Sequence, residues 1–232
     1  SRRLAAREQR PAPGGAGMKR LGGIWDSVVG FDNLYLAYRK ARRGKDASPE
    51  VGCFALNLER ELLALQDELR SGDYCPGPYR LFTIYERKPR QIAAAPFRDR
   101  VVHHAVMNVI ESPLDRTFIY DSYACRKGKG VHQAVDRYQC WARRYAYVLK
   151  MDVRQYFPSV DRDLLKQKLR RRIKDRRVLG LLDTLVDTGP ATGGPPVYFP
   201  GDDLFTPLAR RTGIPIGNLT SQFFANLYLD DL

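Results

Sequence analysis

The run from Tyr145 to Val153 (YAYVLKMDV) constrains this chain more than any other stretch. Read as an extended segment, it is apolar on both faces, so it asks to be covered on both sides, as a strand between two layers is. Its end carries a carboxylate, Asp152, with Tyr156 and Phe157 a few residues on. A carboxylate at the end of a core strand is unfavourable unless it meets a cation or a pair of donors. Read from its residues alone, Asp152 is either a cation ligand or a cap or ion-pair partner of a nearby arginine.

Around that run the periodicity is helical. Phe31 to Gly44 predicts a helix whose last turn is rich in Arg and Lys, as the helix dipole favours. A second helix starts at Ser48-Pro49, carries Leu58, Leu62, Leu65 and Leu69 on one face, and stops at Gly72. Residues 79–86 and 91–95 flank the basic turn Arg87-Lys88-Pro89-Arg90 and read as a hairpin. Further helices are expected over 97–112 (with Pro113 as the stop), 131–143, 161–174 and 176–187, and from Asn218 onward. Many helices with few strands argue an α+β or α/β class.

With 39 Lys+Arg against 26 Asp+Glu, the net charge is +13, which favours a polyanionic partner and nucleic acid before an anionic membrane. No run approaches the roughly 20 apolar residues that span a bilayer, so no membrane partner is expected. Cys53, Cys75, Cys125 and Cys140 form no C-x-x-C pair, and nothing has zinc-ligand spacing. Scattered thiols without a secretion signal read as reduced and cytoplasmic. Residues 1–17 are basic and rich in Ala, Gly and Pro, and read as a flexible tail. The chain stops at Leu232 inside an apolar helical pattern, which predicts a fragment.

Two more features stand beside Asp152. The Arg87–Arg90 turn could clamp a triphosphate, although such turns are usually solvated surface. Ile214-Pro215-Ile216-Gly217-Asn218-Leu219-Thr220-Ser221-Gln222 is a Gly-containing loop feeding a helix, where backbone can approach a ligand or simply start a helix. In order along the chain, KPRQIAAAPFRDRVVHHAV (88–106), DSYACRKGKGVHQAV (121–135), LKMDVRQYFPSVD (149–161) and GIPIGNLTSQFFANLYL (213–229) carry a resemblance. Over about 80–228 the chain resembles a bacterial or phage reverse transcriptase, a right-hand polymerase of α+β class. Ile216 and Gln222 make it most similar to the type found in diversity-generating retroelements, associated with error-prone copying.

The resemblance implies an RNA-directed DNA polymerase with fingers and part of a palm. Residues 18–143 would be fingers with some palm, and 144–232 the palm through one further helix. It also implies roles. Asp152 and the backbone carbonyl of Val153 would hold metal, two Mg²⁺ ions being expected in the intact enzyme, with Asp152 the catalytic carboxylate. Lys88 and Arg90 would neutralise the dNTP triphosphate, Phe157 would exclude a ribose 2′-OH, and Ile216 and Gly217 would line the nucleotide. Arg126, Lys127 and Lys129, together with Arg170, Arg171 and Arg172 of the run 166–177, are candidate contacts to template RNA and primer or cDNA. A small basic accessory protein is a further implied partner.

The family also needs an aromatic-x-Asp-Asp turn between two palm strands. Tyr228-Leu229-Asp230-Asp231 has that spelling but ends a helix, so it reads as that helix's solvated end, and the fragment alone is expected not to polymerise. Asp161 reads as a helix cap, and His103 and His104 as structural. Arg98 and Arg100 are expected to pair with Asp99 or Asp121, and Tyr123 and Trp141 to be core aromatics. The competing reading is a polymerase-inactive, maturase-like RNA-binding protein of the same fold.

Overall fold

The computed structural model describes residues 19–85, 89–190 and 197–230. The fold is mixed α+β, mostly helix. Its centre is α5 (Phe97–Asp115), where Val101, Val102, Ala105, Val106 and Ile110 are fully buried. Against it lie α1 (Trp25–Val29), too short for a period to show in sequence, and α2 (Phe31–Arg42), which turns Leu34, Ala37, Tyr38 and Ala41 inward. The i, i+3, i+4, i+7 spacing of those four is the apolar stripe of an amphipathic helix. Tyr38, Phe54 and Phe97 close one end of this core, the last two ring to edge with centroids 5.2 Å apart.

The expected second helix is two, α3 (Pro49–Leu56) and α4 (Leu58–Ser71). They break at Asn57 (φ −120°), a residue whose side chain competes with the helical backbone. Gly72, at φ +89°, ends α4 in the left-handed conformation, its N–H donating to the Glu68 carbonyl at 3.0 Å. Pro113 does not stop α5. It lies in the last turn, where it forgoes the N–H bond to the Val109 carbonyl, yet the helix runs on to bury Leu114.

The hairpin forms, but Pro89 and Arg90, expected in its turn, belong to its second strand, and residues 86–88 lie outside the described residues. β1 (Arg80–Tyr85) pairs antiparallel with β2 (Pro89–Ala94), with Ile84 opposite Arg90 and Phe82 opposite Ile92. Beyond it come α6 (Val131–Ala142), the single turn α7 (Tyr156–Ser159), α8 (Arg162–Arg172), α9 (Arg176–Asp187), the short α10 (Thr206–Ala209) and α11 (Leu219–Leu229). Asp161 caps α8 by accepting from the Leu164 N–H at 2.9 Å, as its position predicts. Asp175 caps α9, and its other oxygen accepts from the Ile24 and Trp25 N–H groups, so one carboxylate serves two helix starts. Leu21 bridges to Ile173 and fastens the N-terminal segment to the same corner. Arg98 and Arg100 pair with Glu68 and Glu50, not with Asp99 or Asp121.

The largest departure concerns 145–153. It forms no strand and is exposed throughout, Tyr147 at 93% and Leu149 at 80%. Among the described residues the one sheet is β1–β2, so no neighbouring strand offers the backbone partners a central strand requires. α6 likewise has no buried residue, and its Val131, Val135 and Tyr138 face outward. Trp141, expected in the core, is half-buried against Tyr145.

Candidate functional site

Three separated pieces of sequence meet at the loop 211–218. From one side α8 and the turn before it hold the loop. Arg162 N–H donates to the Arg211 carbonyl (2.9 Å), Gly213 N–H to Val160 (2.9 Å) and Ile214 N–H to Phe157 (3.0 Å). From the other side β2 holds it, Ala93 N–H donating to the Ile216 carbonyl at 2.9 Å. Gly217 sits at φ +117°, and a Cβ there would lie 2.8 Å from Cγ2 of Ile92. A side chain would push the loop off the strand, so glycine is what this approach requires. Asn218 begins α11 and turns its amide to the Tyr79 hydroxyl (3.2 Å), while burial pushes the Tyr79 pKa up to about 12.

Phe157, Ile216 and Gly217 are thereby joined to the strand that carries Arg90. Phe157 is half-buried on α7 beside Tyr156, whose hydroxyl donates to the Ala225 carbonyl at 2.6 Å. Gln155, with φ +50°, turns the chain into α7 from the exposed segment before it. Arg90 is exposed on β2. Lys88 and Arg87 lie outside the described residues.

Asp152 and Val153 are exposed in the irregular stretch, and Asp152 does not end a buried strand. Among the described residues no three His, Cys, Asp or Glu side chains gather as metal ligands. Asp152 with the Val153 carbonyl is too small a donor set for two Mg²⁺ ions, each of which wants about six oxygens, so the described residues by themselves do not fit that pair. Asp230 does not complete it. Its side chain is 4% exposed rather than solvated, ion-paired to Arg172 at 3.0 Å and accepting from the Ile119 N–H.

The basic candidates differ among themselves. Arg126 is half-buried, its side chain 7% exposed, and it uses all five donors on the Asp115 carboxylate and carbonyl and the carbonyls of Ile119 and Ser122, with Phe118 under its guanidinium. A phosphate would have to displace those bonds. Lys127 stays exposed beside Glu111. Lys129 lies 3.8 Å over the Tyr120 ring and 4.8 Å from that of Tyr123, which is half-buried and bonded to Asp121. Arg170 pairs with Asp183 and Arg172 with Asp230, while Arg171 is exposed on α8.

Sequence reasoning missed Arg162. It is 4% exposed, four residues before the basic run 166–177. Its one signal was position, the first helical residue after a capping Asp. His103 and Thr220 were also missed as a pair: Nδ1 and Oγ1 lie 2.7 Å apart, buried between α5 and α11.

No protein-family profile matches the chain. It is similar to Protein YkfC of Escherichia coli, 32% identical over 181 residues, which are 75% of this chain and 45% of YkfC. It is similar to the group II intron-encoded protein LtrA of Lactococcus lactis, 23% identical over 210 residues covering 87% of this chain and 33% of LtrA. A shorter stretch of 88 residues is 31% identical to nuclear intron maturase 1, mitochondrial, of Arabidopsis thaliana, over 38% of this chain and 12% of that protein. The chain thus spans less than half the length of each. Its fold matches part of a chain in a Cas6-RT-Cas1–Cas2 complex, with TM-score 0.55 and 22% identity over 90% of this chain and 34% of the other.

Proposed function

We propose that this chain is the fingers and part of the palm of a reverse transcriptase, which extends a primer with dNTPs on an RNA template. Its relatives include intron-encoded proteins, and its fold is shared with part of a complex whose name contains RT. The observation that carries the reading is the meeting of β2, α7 and the 211–218 loop, which brings Phe157, Ile216 and Gly217 to the strand bearing Arg90. In the proposed site Arg90 and Lys88 offset the triphosphate charge. Phe157 fills the space of a ribose 2′-OH, and Ile216 and Gly217 bound the sugar and base. Lys127, Lys129 and Arg171 supply contacts to the template backbone.

Asp152 and the Val153 carbonyl would contribute to Mg²⁺ binding, the remaining carboxylates coming from outside the described residues. The metal would supply charge stabilisation at the phosphates. Ile216 and Gln222 support the finer assignment to the retroelement type, with a small basic accessory protein as partner.

The test uses the full-length protein. Asp152→Asn should abolish dNTP incorporation on an RNA template by at least about a thousandfold, one metal carboxylate being lost. RNA affinity, measured by filter binding, should stay within about twofold, because no phosphate-binding cation is removed. Equal incorporation by the variant and the parent refutes the reading. The similarity to an intron maturase supports a second reading, RNA binding without synthesis. A parent protein that binds RNA tightly and incorporates nothing would select it.

A further inference from the structure

Arg162 is a buried cation that bonds to no carboxylate among the described residues. Nε donates to the Gly213 carbonyl at 2.7 Å, one terminal nitrogen to Asp187 at 2.9 Å, and the other to Gly189 at 2.8 Å and Pro190 at 3.2 Å. Asp187, whose carbonyl it meets, uses its carboxylate on Lys166 and Arg211. What compensates the guanidinium is main-chain oxygen. The carbonyls at 187–190 lie at the end of α9, where helical carbonyls lack partners and the dipole is negative.

The arrangement bolts three pieces together. Gly189 allows close approach there, since a Cβ would lie 2.8 Å from Cδ of Pro215. The same loop is held to α7 through Ile214 and to β2 through Ile216. Releasing Gly213 frees the register of Ile216 relative to Phe157. A lysine cannot replace the fork: its three donors on one nitrogen do not reach carbonyls spread over a planar guanidinium.

We propose that Arg162 is a positioning residue for nucleotide selection, its guanidinium fixing the Gly213–Gly217 loop to the end of α9 so that Ile216 and Gly217 keep their distance from Phe157. This rests on the nucleotide site proposed above. It assigns Arg162 no contact with the nucleotide; it acts through the loop.

Two readouts separate it from that site. The first needs no activity. In Arg162→Met, amide exchange at Ala93, Gly213 and Ile214 should accelerate about tenfold or more, since a buried charged donor set is lost. Amides in α5, such as that of Val106, should not change. Arg162→Lys, which keeps the charge without the fork, should fall between Met and the parent. The second readout is primer extension by the full-length protein. Arg162→Met should raise the KM for dNTP about tenfold with a smaller change in kcat, and Lys should recover part of it.

Unchanged loop amides in Arg162→Met overturn the proposal. So does acceleration that reaches α5 equally, which would mark a general stabiliser. A loosened loop with an unaltered KM overturns the selective role. A parent protein that incorporates no dNTP defeats the underlying site, and this role with it, while the exchange result still reports whether the clamp exists.

Discussion

Acid should destabilise this chain in part through a buried imidazole. His103 is 3% exposed in α5, bonded to Thr220 of α11, and burial pushes its pKa down from 6.5 to about 4, with His104 a secondary influence. The unfolded chain therefore takes up the proton first. The stabilisation is whole above pH 6.5, declines as pH falls below that value, and is spent near pH 4. At about 1.4 kcal/mol per unit, one such group removes about 2 kcal/mol between pH 7 and pH 5 and about 3 kcal/mol in all. Urea unfolding followed by circular dichroism at pH 7, 6 and 5 measures this in the parent and in His103→Gln. Glutamine keeps a hydrogen-bonding amide for Thr220 and does not titrate, so the difference between the two proteins should shrink by about 2 kcal/mol over the range. His104, also pushed to about 4, chiefly by burial and then by Lys40, Lys45 and Arg100, remains in both and cancels. A parent-minus-variant difference that stays constant from pH 7 to pH 5 refutes the argument.

Asp175→Ala removes the cap of α9 and the acceptor for the first N–H groups of α1 together, and should cost about 2 kcal/mol in urea unfolding, twice a single cap. A loss no larger than about 0.5 kcal/mol would mean water replaces the carboxylate at both ends. Gly217→Ala meets both a left-handed φ and Ile92, and should lower Tm by about 4 to 8 °C; Ile92→Ala in the same chain should restore only part, because the backbone strain remains. An unchanged melting curve would show that the loop need not approach β2.

Local signals were legible where local physics decides. The leucine spacing of α4 and its Gly72 stop, the hairpin of β1 and β2 and the Asp161 cap follow from backbone preferences within a few residues. Readings failed where the outcome depends on a distant partner. Pro113 was expected to end α5, but burial of Leu114 outweighs one missing hydrogen bond. Arg126 and Arg162 look like surface cations until Asp115 and four carbonyls surround them. Asp230 looks solvated until Arg172 and Ile119 reach it.

Sequence alone determined where most of the longer helices lie, the positive charge and the identity of the residues offered for chemistry. These depend on side-chain type and on spacing within one or two turns, which the chain carries wherever it is placed. Tertiary structure decided which of those residues meet. It joined Phe157, Ile216 and β2 through backbone bonds spanning some 60 to 120 residues of chain, and it left Asp152 on an exposed segment with no strand beside it. An apolar run states that it must be covered; only the presence of a neighbouring strand can make it a sheet, because half of every ladder bond belongs to another segment.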